Sequence, residues 1–204
     1  MPSSTSAVRA PFQTPYAQPS QGWAFLQGFL RNPVMVGAVT QSSRRLVARM
    51  LAPIDWSATK LIVEYGPGVG TFTQTILDKL PEGATLIAID TNYDFVRHLR
   101  RTIQDRRFLA VCGSAADVRA IIGRQGFEKA DYVVSGLPFS TLPPGVGDTI
   151  TAATHSVLRK GGGFLAYNYT TRVGDCMKRA FTRIDHAMEW WNVPPAQLYW
   201  AWKD

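Results

Sequence analysis

From position 59 onward, short apolar runs alternate with stretches whose apolar residues recur every three or four positions. That alternation predicts strands joined by helices. Strands are expected over residues 60–64, 85–90, 108–112, 130–135 and 164–169, the last led in by Gly161-Gly162-Gly163. Helices are expected over 71–79, 93–102, about 146–158 and 175–183. Two final apolar runs, 186–191 and 197–202, flank Asn192-Val193-Pro194-Pro195 and read as a hairpin. A chain that alternates strand and helix builds a parallel sheet covered on both faces. The expectation is an α/β fold whose mostly parallel, seven-stranded sheet ends in a C-terminal hairpin.

Upstream the period changes. Advancing about 100° per residue from Trp23, Trp23, Phe25, Leu26, Phe29 and Leu30 share one arc, and Gln27, Gly28 and Arg31 the other. A second helix is expected to begin at Ser42 or Ser43, with Leu46, Val47, Met50 and Leu51 on one face. Residues 1–21, rich in Ser, Pro, Gln and Thr, read as a flexible tail. The chain therefore divides into a tail (1–21), an N-terminal amphipathic helical region (22–53) and the α/β domain (54–204).

Charge adds to this picture. The formal charge is +7, and no Asp or Glu precedes Asp55, whereas Arg9, Arg31, Arg44, Arg45 and Arg49 all do. Such asymmetry suits a polyanionic partner, nucleic acid or an anionic membrane surface. A second basic group, Arg97, Arg100, Arg101, Arg106 and Arg107, equally suits a solvated basic face. Two cysteines cannot make a disulfide framework, and no Cys/His spacing resembles a metal site. No apolar run reaches the roughly 20 residues of a membrane-spanning helix. A reducing, cytoplasmic setting is expected, with no metal.

The candidate chemistry sits in Glu64-Tyr65-Gly66-Pro67-Gly68-Val69-Gly70, between the first strand and a helix that Thr71 opens. Glycines there let the backbone turn tightly and approach a ligand with no side chain in the way. No Lys-Ser/Thr pair follows, which disfavours a phosphate-cradling loop. Glu64 just ahead of the first glycine fits a methyltransferase better than a dinucleotide enzyme. Its carboxylate can face the cationic methionyl end of S-adenosylmethionine or act through water. Asp90 ends the second strand, where a carboxylate can accept both ribose hydroxyls, with Thr91 beside it; it can also cap the following helix. Ser114-Ala115 follows the third strand at the expected adenine position, and Ser135-Gly136-Leu137 follows the fourth, at the edge where open α/β sheets bind ligands.

These motifs resemble two families of Rossmann-like methyltransferases that use S-adenosylmethionine and release S-adenosylhomocysteine. One is the ribosomal-RNA adenine dimethyltransferases. The other is the bacterial phospholipid N-methyltransferases, which convert phosphatidylethanolamine toward phosphatidylcholine. Phe29-Leu30-Arg31-Asn32-Pro33, Val36-Gly37-Ala38 and Ser42-Ser43 resemble the N-terminal signature of the lipid enzymes. Ser135-Gly136-Leu137-Pro138 matches their fourth-strand loop, where the adenine enzymes carry Asn-Leu-Pro and an aromatic. The resemblance runs from Trp23 to Trp202 and leaves no room for the helical RNA-binding domain of the adenine enzymes, so nucleic acid is disfavoured as a partner. Two positions depart from the pattern: Ser114 stands where Asp is usual, a neutral and weaker acceptor, and Gln41 stands where Pro is expected.

The resemblance implies a cofactor site of Glu64, Gly66, Pro67, Gly68, Gly70, Thr71, Asp90, Thr91, Ser114, Ala115, Ser135, Gly136 and Leu137. Tyr169 matches a tyrosine of the lipid family and can orient the substrate nitrogen, or simply cap its strand. Ser135 and the Gly136 and Leu137 carbonyls can accept hydrogen bonds from the amine. Trp23, Phe25, Leu26, Phe29, Leu30 and Arg31 are expected to lie in a membrane interface, the alternative being packing on the sheet. The implied activity is N-methylation of an aminophospholipid head group at the inner face of the cell membrane. RNA adenine methylation and non-catalytic cofactor binding are the alternatives.

Overall fold

The computed structural model describes residues 44–204. The arc of Trp23 to Arg31, the Phe29–Pro33 motif and Gln41 lie outside the described residues. Helix α1 covers residues 44–51. Its apolar face, Leu46, Val47, Met50 and Leu51, is buried against Ile62, Phe72 and Trp200, and the Trp200 indole donates to the Met50 carbonyl at 2.9 Å. Burying each such side chain stabilises by about 1.5–3 kcal/mol. The packing of α1 thus continues into the sheet, with no break at the 53/54 boundary drawn from composition.

The sheet contains β1 (Leu61–Tyr65), β2 (Thr85–Asp90), β3 (Phe108–Cys112), β4 (Ala130–Ser135), β5 (Leu158–Asn168), β6 (Arg183–Glu189) and β7 (Ala196–Trp202). Their order is β3–β2–β1–β4–β5–β7–β6; β1 to β5 are parallel and β7 runs antiparallel to both neighbours. Between them lie α2 (Thr71–Lys79), α3 (Tyr93–Thr102), α4 (Val118–Arg124), α5 (Val146–Val157) and α6 (Arg172–Met177). Successive side chains of a strand face opposite ways. Leu61, Val63 and Tyr65 pack with α4, α5 and α6, while Ile62 packs with α1 and α2. The chain reverses direction across the sheet between β1 and β4, so their carboxyl ends flank the crevice where such sheets take ligands.

Three segments differ from expectation. Helix α4 was not anticipated; it is one short element containing Gly123, although Val118, Ile121 and Ile122 carry the helical spacing. The helix expected over 175–183 instead spans Arg172–Met177, and Arg183 already belongs to β6. Phe181 leaves the helix to pack on Phe164 and His155, at ring separations of 6.2 and 5.0 Å. Finally, β5 begins at Leu158 rather than after the glycines. Gly161 N–H donates to the Lys203 carbonyl at 2.8 Å and Lys203 N–H to the Gly162 carbonyl at 2.9 Å, so the end of the chain gives the glycines ladder partners.

Candidate active site

The turn after β1 is set by its glycines. Gly66, Gly68 and Gly70 have φ of 64°, 55° and 92°, the left-handed region that side chains disfavour. Gly66 N–H donates to the Ile89 carbonyl at 3.0 Å and Gly70 N–H to the Pro67 carbonyl at 2.9 Å, which fastens the loop to β2 and closes it. A Cβ built on Gly68 meets nothing within 4 Å, whereas one on Gly66 comes within 3.0 Å of Leu137, so the loops after β1 and β4 touch.

Glu64 is buried at 2% exposure beneath this loop. Its Oε2 accepts the Thr73 hydroxyl at 2.6 Å, and the carboxylate also takes the Thr73 backbone N–H. Helix α2 has Gly70 at its N-cap with no side-chain cap of its own, so the acid from β1 satisfies a donor that the helix start leaves open. Burial pushes the Glu64 carboxyl up to about 7; the Thr73 bonds oppose this and nearby Asp90 adds to it. Thr73 was not singled out from sequence, though it falls at the third position of the helix that Thr71 opens.

Asp90 ends β2 half-buried, its carboxylate accepting Asn92 N–H at 2.8 Å and the Gly68 and Thr91 N–H groups. Burial raises its pKa. The helix cap proper is Asn92, whose side chain accepts from Asp94 N–H, so Asp90 is not spent on capping. Thr71 and Thr91 are exposed. Ser114 accepts Ala116 N–H at 3.2 Å as the cap of a short 3-10 turn, and Ala115 is buried.

In the loop after β4, Ser135 is fully buried and its hydroxyl accepts Leu137 N–H at 3.3 Å, which shapes the turn. The Leu137 carbonyl accepts both Asn168 Nδ2 at 2.9 Å and Phe139 N–H at 3.0 Å, which occupies its two lone pairs. Gly136 N–H is tied to the Tyr65 carbonyl at 3.0 Å. Tyr167, which the sequence reading passed over, lies against this turn: its ring and hydroxyl come within 3.3 Å of the position a Gly136 Cβ would take. It stacks on Phe72 at 5.3 Å, and burial raises its pKa, so the phenol stays protonated. Tyr169 is 53% exposed, edge-on to Tyr167 at 6.4 Å. Of the aromatics in the last two strands and their turn, Tyr199 and Trp200 are buried, and Trp190 and Trp191 exposed. His186 contacts Gln197 at 3.1 Å and stacks on Tyr199.

Comparison with known proteins agrees with this geometry. No protein-family model matches the chain. Ornithine lipid N-methyltransferase of Singulisphaera acidiphila is 29% identical over 182 residues, 87% of this chain and 93% of that protein. The chain is similar, over nearly its whole length, to a bacterial lipid N-methyltransferase. That relative supports the lipid side of the resemblance and not the ribosomal-RNA adenine dimethyltransferase side.

Solved structures agree on the fold. A methyltransferase domain of StiE superposes with a TM-score of 0.67 at 12% identity, over 84% of this chain and 78% of that one. The 1,6-didemethyltoxoflavin N1-methyltransferase of Burkholderia thailandensis, solved with S-adenosylhomocysteine, gives 0.61 at 17% identity over 96% and 95%. The fold is that of the Rossmann-like S-adenosylmethionine-dependent methyltransferases. The residues present fit that cofactor: a glycine turn with open space at Gly68, and two acids, Glu64 and Asp90, aligned on adjacent strand ends. Among the described residues no group of three or more His, Cys, Asp or Glu gathers as a metal site, and no helix is long and apolar enough to cross a membrane.

Proposed function

We propose that this protein N-methylates the primary amine of an aminolipid head group at an anionic membrane surface, converting phosphatidylethanolamine toward phosphatidylcholine. The observation that carries the reading is the 29% identity to an ornithine lipid N-methyltransferase across 93% of that protein, with the cofactor loop intact. Phosphatidylethanolamine and ornithine lipid share the relevant chemistry, a primary alkylamine beside an anionic group, and the N-terminal motif around Phe29–Pro33 favours the phospholipid.

Bound S-adenosylmethionine supplies an electrophilic methyl on a sulfonium. The protein's part is to hold an uncharged amine in line with it and keep water out. An alkylamine of lysine type has a pKa near ~10.4 and no lone pair while protonated, so the site must favour the neutral form. Tyr169, exposed beyond the end of β5, can orient the nitrogen by accepting its N–H. Tyr167, protonated beneath it, supports that ring edge-on. In this reading the protein is a peripheral enzyme of the inner membrane face, and Trp23, Phe25, Leu26, Phe29, Leu30 and Arg31 contact the lipid.

The test is incubation with labelled S-adenosylmethionine and, separately, phosphatidylethanolamine vesicles, ornithine lipid vesicles and ribosomal RNA. Label is expected in phosphatidylethanolamine. Label in ornithine lipid alone would replace the substrate, and label in RNA with silent vesicles would overturn the lipid reading.

A further inference from the structure

Six large apolar side chains are exposed among the described residues: Val69, Tyr93, Tyr169, Trp190, Trp191 and Val193. All six lie at one edge of the sheet. Val69 is in the glycine loop after β1, Tyr93 opens the helix after β2, and Tyr169 follows β5. The other three form the turn between β6 and β7. Asn168, the last residue of β5, pairs with Gln197, and Gln197 pairs with Met188, so the turn projects beyond the carboxyl end of β5. The same edge carries the cofactor loops, and Asn168 is hydrogen-bonded to Leu137 of the β4 loop.

The turn is held firmly. Glu189, 1% exposed, accepts Trp191 N–H at 3.2 Å and pairs with Arg49 at 3.1 Å and Arg45 at 3.5 Å, both on α1. Asn192 Nδ2 donates to the Pro194 carbonyl at 2.6 Å. Trp190 and Trp191 nonetheless stay 70% and 72% exposed. Cations flank the aromatics: the Arg45 guanidinium lies 5.9 Å from the Trp191 ring, and that of Arg97 lies 5.9 Å from the Tyr93 ring. Aromatic rings at headgroup depth beside arginines at phosphate depth are the arrangement of a bilayer interface. A fixed turn also loses little conformational freedom when its side chains insert.

We infer that the carboxyl edge of the sheet is the membrane-docking face and that the β6–β7 turn, through Trp190, Trp191 and Val193, is its anchor in the headgroup region of an anionic bilayer. The inference rests on the aminolipid reading and adds residues which that reading leaves unassigned. Docked this way, the enzyme presents the Tyr169 side of its site to the plane of the head groups, and a substrate can reach it with its acyl chains still in the bilayer.

The test compares the wild-type chain with Trp190→Ser/Trp191→Ser on phosphatidylglycerol–phosphatidylethanolamine vesicles, with brominated acyl chains as quencher of tryptophan emission. The wild type should bind and be quenched, and less so as salt rises. The double variant should bind at least tenfold more weakly, with the S-adenosylhomocysteine affinity and thermal midpoint of the wild type. Its turnover should fall on vesicles and persist on detergent-dispersed phosphatidylethanolamine. Unchanged vesicle binding and turnover in the variant would overturn the anchor, as would a loss confined to self-association in sedimentation, which would assign the turn to a second copy of the chain. Failure of the wild type to methylate dispersed phosphatidylethanolamine or ornithine lipid would instead remove the activity reading, and the quenching comparison would still decide the anchor.

Discussion

The Thr73 hydroxyl donates to the buried carboxylate of Glu64 at 2.6 Å, linking the end of β1 to the first turn of α2 across the glycine loop. One acid thereby serves a helix start and stands under the cofactor turn.

A pH dependence follows from its raised pKa. In the cofactor-free protein the Glu64 contribution to stability is fully present below its unfolded value of 4.5 and is lost as pH rises through about 7. A cationic ligand favours the ionised form, so S-adenosylmethionine affinity should rise with pH up to about 7 and level off above it, with proton release on binding below that point. Glu64→Gln should flatten both dependences. Calorimetry in buffers of different ionisation enthalpy measures the released proton, and an unchanged pH profile in the variant would place the cofactor's charge elsewhere.

Gly68 and Gly70 should separate binding from folding. A side chain on Gly68 meets no atom within 4 Å, so Gly68→Val should cost about 1–2 kcal/mol of left-handed strain and abolish cofactor binding. Gly70→Ala places its Cβ 2.9 Å from Leu99 Cδ2 at a φ of 92°, and strain plus overlap should cost about 2–4 kcal/mol. Thermal melts with and without S-adenosylhomocysteine read both: a modest drop with no ligand shift for Gly68→Val, a larger drop for Gly70→Ala. The reverse order would contradict the geometry.

Asp90→Ala removes an acceptor already aligned by Asn92, Gly68 and Thr91 N–H groups. Loss of hydrogen bonds to a charged group should weaken S-adenosylhomocysteine by roughly 1.5–3 kcal/mol, about ten- to hundredfold in Kd. Calorimetry measures it, and wild-type affinity would mean the ribose is held elsewhere.

Asn168→Ala should act on turnover more than on cofactor binding, because Asn168 fixes the Leu137 carbonyl and not the glycine loop. Phe139 N–H still serves that carbonyl, so the stability cost should be near ~1 kcal/mol. The expected result is a kcat lowered severalfold on dispersed aminolipid with S-adenosylhomocysteine affinity kept. An unchanged kcat would remove Asn168 from the positioning of this loop.

The amino-acid sequence by itself determined the parallel strands β2, β3 and β4, helices α2 and α3, and the cofactor loop. Their signals are local: an apolar run, a helical period, glycines where φ must be positive. The same local reading identified the buried face of α1 in Leu46, Val47, Met50 and Leu51. It mislaid the helix near 175–183, because Phe181 is drawn out of that helix by Phe164 and His155, residues distant in sequence. Tertiary structure alone decided which polar groups at the sheet edge are occupied. Ser135 Oγ accepts Leu137 N–H, and the Leu137 carbonyl accepts Phe139 N–H and Asn168 Nδ2, none of which local sequence shows. Hydrogen-bond satisfaction depends on what the fold brings within about 3 Å, and pairing Asn168 with Leu137 needs β4 and β5 side by side. The gathering of Val69, Tyr93, Tyr169, Trp190, Trp191 and Val193 on one edge is of the same kind: they share a surface only because β1, β2 and β5 end on the edge where the antiparallel β6–β7 hairpin turns.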